Sequence, residues 1–195
     1  MGLSRQARTL TKAQVDAVLG YLDKTRYPDR NRAIFLLSVK AGLRAKEIAS
    51  LTWRMVSNVD GGVGTAIHLE DVASKGKSGR IIAMNQDLRD ELEAWRVKVV
   101  WTRQSPFVIC TERSDRTSAQ AIVNLFSRWY DDLGFDGCSS HSGRRTFITN
   151  AARKISTVGG SLRDVQLLAG HSNLRTTQQY IEAHAEAQKR IVQII

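Results

Sequence analysis

Between Arg30 and Gly42 the chain reads RNRAIFLLSVKAG. Ala33, Ile34, Phe35, Leu36, Leu37 and Val39 fall on almost every side of a 3.6-residue helix, so this helix has little face to give to water. It has to be surrounded. The segment therefore demands other elements layered around a central buried helix over about 30–41. Gly42 suits the left-handed conformation that ends such a helix.

The flanking sequence supplies those elements. Thr11 and Gln14 form a capping box, with Leu10 and Val15 as a hydrophobic staple. Val15, Val18, Leu19 and Leu22 then line one helical face. A short helix is expected around Ala45–Leu51. The period then changes. Met55–Val59, Ala66–Leu69 and Arg80–Met84 read as short strands around Gly61-Gly62 and Gly76-Lys77-Ser78-Gly79. Helical spacing returns with the stripe Leu88, Leu92, Trp95, Val99. It recurs with Ile122, Leu125, Phe126, Trp129, Leu133, ended by Gly134. A further helix starts near Ser142, another is capped by Ser161 with Asp164 and ended by Gly170, and a last one holds Tyr180. The expected fold is one mostly helical α+β domain with a small antiparallel three-stranded sheet.

Charge narrows the partner. The 195 residues carry 29 Lys and Arg against 19 Asp and Glu, a formal +10. Residues 1–46 alone hold ten basic residues against three acids. An excess of this size points to a polyanion, nucleic acid foremost. Two cysteines, Cys110 and Cys138, are too few for a disulfide-stapled secreted scaffold. The densest apolar stretch, Ala33–Leu43, is far short of a membrane span, and the N-terminus lacks a signal-peptide core. The reading is a soluble cytoplasmic protein with no membrane role.

Several enzyme patterns fail. A phosphate loop ending in Gly76-Lys77-Ser78 would need glycine at 71, which is Asp71. Gly62 and Gly64 are not followed by glycine at Ile67, so the dinucleotide fingerprint is incomplete. There is no HExxH, no CxxC and no GxSxG, and His68 and His184 stand alone. No metal, no cofactor and no small-molecule substrate are expected.

What remains is a set of polar residues at element ends. Arg44 follows Gly42-Leu43, with Glu47 three residues on. Lys75 sits at a strand–turn junction. His141 and Arg144 lie in SSHSGRRTFIT, His171 follows Gly170, and Tyr180 comes nine residues after His171. Taken singly, each has an ordinary reading as a cap, a solvated turn or core filler. Taken together, the set resembles the catalytic domain of the tyrosine recombinases, or phage integrases. That family's motifs are Gly-Leu-Arg with an acid three residues on, a hairpin lysine, His-x-x-Arg, Gly-His, and a tyrosine nine residues beyond that histidine. The match runs from about Leu10 to His184.

The resemblance implies a site-specific DNA recombinase that breaks and rejoins double-stranded DNA through a covalent 3′-phosphotyrosine. Tyr180 would be the nucleophile, and Arg44 and Arg144 the clamp on the non-bridging phosphate oxygens, a geometry guanidinium matches bidentately. Lys75 would be the acid for the leaving 5′-oxygen, with Lys77 as its rival. His141 would assist the tyrosine proton, and His171 would donate to a phosphate oxygen. Glu47 would hold Arg44 or a nearby histidine, or else be a solvated helix carboxylate. The family often has leucine before its second arginine and histidine after it; Gly143 and Arg145 stand there here. Arg145 is thus a rival clamp, although the spacing from His141 favours Arg144. Other functions sharing this motif set are a non-catalytic DNA-binding remnant and a type IB topoisomerase-like enzyme. Most family members carry a separate N-terminal helical domain. The organisation expected here is an extension over 1–9, the catalytic domain over 10–184 and a tail over 185–195, with no separate core-binding domain. An apolar tail end and strand exchange between two duplexes imply a homo-oligomer, a tetramer, on paired sites.

Overall fold

The structure is a computed structural model and describes residues 7–74, 79–102, 104–180 and 192–193. The expected surrounded helix is α2, Pro28–Ala41, in which Ala33 to Leu37, Val39 and Ala41 are all buried. Burial of each large side chain contributes about 1.5–3 kcal/mol, so this helix anchors the core. Around it lie α1 (Lys12–Leu22), α3 (Ala45–Ser50), α5 (Gln86–Thr102) and α7 (Ser142–Lys154). The Thr11–Gln14 capping box starts α1. Ahead of it, the Leu10 backbone N–H donates to Thr146 Oγ1 at 2.7 Å, tying the N-terminal side of the chain to α7.

The helix α6 (Ala119–Asp132) sets Ile122, Phe126, Trp129 and Tyr130 into the same core, with Phe126 edge-on to Trp129 at 5.2 Å. The short α8 (Leu162–Ala169) opens on the Ser161–Asp164 capping box, and α9 (Leu174–Gln178) follows it. A second, smaller cluster of Ile148, Val165 and Ala169 joins α7 to α8, and Tyr180 packs against it. Among the described residues no helix is long and apolar enough to cross a membrane.

Two expectations change. Among the described residues the sheet is two-stranded, with β1 (Ala66–Leu69) antiparallel to β2 (Arg80–Ala83). The segment expected as a third strand starts instead as a helical turn, α4 (Trp53–Val56), followed by the isolated bridge Ser57–Val63 and a Gly64 N–H to Val56 O hydrogen bond of 2.8 Å. Met55 and Val56 are adjacent and both buried. A strand would turn them to opposite faces, whereas one helical turn buries both. The second change is that α9 ends at Gln178, so Tyr180 lies two residues beyond it, its N–H donating to Thr177 O at 3.0 Å.

Gly42 fixes where the first motif begins. Its φ of +65° ends α2, and the N–H groups of Gly42 and Leu43 satisfy the carbonyls of Ser38 and Leu37. A Cβ at Gly42 would overlap the Phe147 ring of α7. Gly143 plays a matching part on α7, where a Cβ would overlap Ser38 Oγ, so α2 and α7 approach closely only with glycine there. Gly42→Ala combines a left-handed backbone with overpacking and should destabilise the fold by about 2–4 kcal/mol. Urea denaturation measures this; a loss below about 1 kcal/mol would mean that neither constraint is real.

Candidate active site

Glu47 is wholly buried at the base of the site. Its carboxylate accepts from the Arg44 backbone N–H at 2.9 Å and from Arg44 Nη1 at 2.8 Å. Arg80 adds a two-pronged pair, Nη1 to Oε1 at 3.0 Å and Nη2 to Oε2 at 3.1 Å. Burial alone would push the Glu47 pKa up and is the largest single effect. The hydrogen bonds and charges of Arg80, then of Arg44, outweigh it and hold the pKa below the usual carboxylate value. Of the roles expected for Glu47, the structure selects that of holding Arg44; it is not a solvated carboxylate.

Arg80 was missed by motif reading, yet the sheet register carries a signal for it. Residues two apart in a strand share a face, and Ile82 is buried opposite Ile67. Arg80 is therefore directed inward, opposite Leu69, while His68 and Ile81 face outward. The Arg80 side chain is 6% exposed and its Nε also donates to Leu168 O at 3.0 Å.

Arg144 enters from the first turn of α7 and is almost wholly buried. Its Nη1 donates to Gly42 O at 2.6 Å and its Nη2 to Ala169 O at 2.7 Å. Both acceptors are helix C-terminal carbonyls, at the negative ends of α2 and α8. The last four carbonyls of α8 are all engaged: Gln166 by His171 N–H, Leu167 by Gly170 N–H, Leu168 by Arg80 and Ala169 by Arg144. Burial, followed by the neighbouring Arg44, pulls the Arg144 pKa down to about 9, which leaves it charged at neutral pH.

The two motif histidines differ in setting. His141 sits at the N-cap of α7, on the surface of the cleft. Packing around its ring, with the charges of Arg144 and Arg44, lowers its pKa below the ordinary imidazole value. His171 is pinned through its backbone by Gln166, whose side chain donates to His171 O at 2.8 Å. Its Nε2 lies 3.1 Å from Arg144 Nη2, and its Nδ1 lies 2.9 Å from Thr177 Oγ1. Burial, then Arg144, Arg44 and Arg80, push its pKa down to about 4.

Tyr180 lies against both His171 and Arg145. Its ring is stacked 5.7 Å from that of His171, and the Arg145 guanidinium carbon stands 5.5 Å from the Tyr180 ring centre. Tyr180, His141, Arg144 and Arg145 share the lining of one open cleft of about 500 Å³. The charge of Arg44 acts on Arg144 and on both histidines. The structure thus brings together Arg44, His141, Arg144, His171 and Tyr180. Lys75 and its rival Lys77 lie outside the described residues, as does His184. Tyr130, the obvious competing tyrosine, is in the core against Phe126 and Phe135. Burial raises its pKa, and its hydroxyl has no partner among the described residues. The adjacent arginines separate as helix geometry requires, Arg144 inward to the carbonyls and Arg145 toward the tyrosine ring.

Comparison with known proteins places the chain in a family. The chain is 28% identical over 195 residues to the tyrosine recombinase XerD of Vibrio cholerae, covering 96% of this chain and 61% of that protein. It is 30% identical over 184 residues to the tyrosine recombinase XerA of Thermococcus onnurineus, covering 92% and 59% respectively. The chain therefore spans about 60% of the length of these relatives. In fold it is similar to the crystal structure of XerA recombinase, with a TM-score of 0.75 at 19% identity, over 94% of this chain and 63% of that one. It is also similar to the Tn1549 transposon integrase in complex with a circular intermediate DNA, with a TM-score of 0.76 at 17% identity, over 97% and 66%. Residues 8–187 match the phage integrase family model, and the chain belongs to that family.

Proposed function

We propose that this chain is a site-specific DNA recombinase that breaks and rejoins double-stranded DNA through a 3′-phosphotyrosine at Tyr180. The observation that carries the reading is the shared cleft of Tyr180, His141 and Arg144, with Arg144 held by helix-end carbonyls rather than by a carboxylate. The relatives named above are recombinases, and one of the similar structures is of an integrase bound to DNA.

In the proposed step the Tyr180 oxygen attacks phosphorus and the bond to the 5′-oxygen breaks. The tyrosine proton passes to His141, which its lowered pKa keeps neutral and able to accept at pH 7. Arg44 and Arg144 meet the negative charge on the non-bridging oxygens. The leaving 5′-oxygen takes a proton from Lys75. The phosphotyrosine conserves the energy of the broken bond, so the reverse attack by a 5′-hydroxyl rejoins the strand. Strand exchange between two duplexes needs four such tyrosines, so the working form is a homotetramer on paired sites in the cytoplasm. The tail that would join neighbours, 185–195, lies outside the described residues apart from 192–193.

Tyr180→Phe should bind DNA as wild type does yet form no covalent adduct with a nicked suicide duplex. An adduct with the Phe variant would move the nucleophile elsewhere. Arg144→Ala should raise the cleavage barrier by about 2–4 kcal/mol in single-turnover assays, the range for a lost preorganised donor. Arg145→Ala should cost far less, and an equal loss would reverse the choice between the two arginines. The pH dependence has a definite sign. A folded pKa below the ordinary 6.5 keeps His141 neutral to lower pH, so the acid limb of cleavage at sub-saturating DNA should fall below pH 6.5. A limb at or above 6.5 would remove His141 from the role of base.

A further inference from the structure

Among the described residues, Thr177 touches the site at two points that no motif marks. It is wholly buried in α9, its Oγ1 is 2.9 Å from His171 Nδ1, and its carbonyl accepts the Tyr180 N–H at 3.0 Å. On the far side of the same imidazole, Nε2 is 3.1 Å from Arg144 Nη2. A guanidinium nitrogen has no acceptor, so Nε2 must be the acceptor in that contact. A hydrogen on Nε2 would set two donors against each other. This excludes both the Nε2–H tautomer and the imidazolium, and leaves the proton on Nδ1, where Thr177 Oγ1 is the acceptor.

We propose that Thr177 is a positioning residue, whose hydroxyl holds His171 as the neutral Nδ1–H tautomer and so keeps its Nε2 lone pair on Arg144. The consequence rests on the recombinase reading: in the DNA-free protein His171 aims the clamp arginine instead of presenting a donor to phosphate. His171 can donate through Nε2 only after Arg144 has moved to the DNA and the ring has gained or transferred a proton. The charged groups acting on the ring are Arg144 from α7, Arg44 ahead of α3 and Arg80 from β2, and all three oppose a second proton. Because one residue registers both the imidazole and the Tyr180 backbone, the order of α9 and the direction of the clamp are set together.

The test uses the full chain labelled with ¹⁵N-histidine, without DNA, between pH 5.5 and 8, the histidine signals being assigned by a His171→Asn variant. The expected His171 pattern is a protonated Nδ1 and an unprotonated Nε2 throughout. Thr177→Val, nearly isosteric but without the hydroxyl, removes the Nδ1–H acceptor, so the ring should turn off Arg144 and, freed of that donor, take the proton wholly or partly on Nε2. It should also slow single-turnover cleavage of a suicide duplex on the order of tenfold, as loss of one hydrogen bond to a working group does. Thr177→Ser should restore both. A wild-type proton on Nε2 overturns the proposal, as does a valine variant with the wild-type tautomer or the wild-type rate. If the valine variant does not fold, the wild-type and serine spectra still decide. Loss of the covalent adduct in wild type would sink the recombinase reading separately, because the tautomer is read without DNA.

Discussion

The site hangs on one buried carboxylate. Glu47 has no exposure to water, and an isolated carboxylate in that position would be strongly disfavoured. It is tolerated because Arg44 and Arg80 converge on it, supplying three side-chain hydrogen bonds in addition to the Arg44 backbone N–H. Breaking a buried pair of this kind typically costs about 3–5 kcal/mol, because the remaining charge is left stranded. The pair also has a geometric consequence. It joins the start of α3 to β2, and Arg80 extends the connection to the end of α8. Three elements distant in sequence are thereby set at one depth, and the first motif arginine is set with them.

Arg80 and Arg144 are both buried beside the end of α8, yet their partners differ in kind. Arg80 is paired with a carboxylate, which it shares with Arg44, and belongs to the frame. Arg144 is held by two carbonyls at helix ends and by an imidazole nitrogen. A helix C-terminus carries about half a negative charge, enough to orient a guanidinium without cancelling it. A carboxylate on Arg144 would compete with any phosphate for the same fork. The sequence device behind this is simple and used twice. In Ala41-Gly42 and Ala169-Gly170 a left-handed glycine stops a helix and turns the chain away, with φ of +65° and +64°. Each stop leaves a terminal carbonyl, of Gly42 and of Ala169, for Arg144.

What could be read from the sequence follows from which interactions are local. The surrounded helix α2, its glycine stop, the Ser161 capping box and the His141–Arg144 spacing all act within a few residues, and pattern alone finds them. Glu47 was legible as a partner of Arg44 because the two are three residues apart. Its pairing with Arg80 was not, since a 33-residue separation has no periodic signature and only the strand register reveals the inward face. Thr177 was hidden for another reason: a threonine in a short helix looks like any other until the imidazole folds back onto it. The third strand failed because two adjacent apolar residues, Met55-Val56, also suit a strand covered on both faces, and only the packing shows that one helical turn buries them.

Three arginines, Arg44, Arg80 and Arg144, govern the imidazoles of the site. Burial, with the charges of Arg144 and Arg44, lowers the pKa of His141, and burial with those of Arg144, Arg44 and Arg80 lowers that of His171. Both rings are therefore neutral at pH 7. On the recombinase reading, a bound phosphodiester brings one negative charge to Arg44 and Arg144 and offsets the field that opposed protonation. The proton affinity of His141 then rises at the moment the tyrosine hydroxyl must lose its proton. Substrate binding and general-base strength are in this way coupled through shared electrostatics, with no movement of the backbone required. The coupling depends on Arg144 being held, among the described residues, by carbonyls and an imidazole and not by a carboxylate, which ties the chemistry back to the two glycine-ended helices.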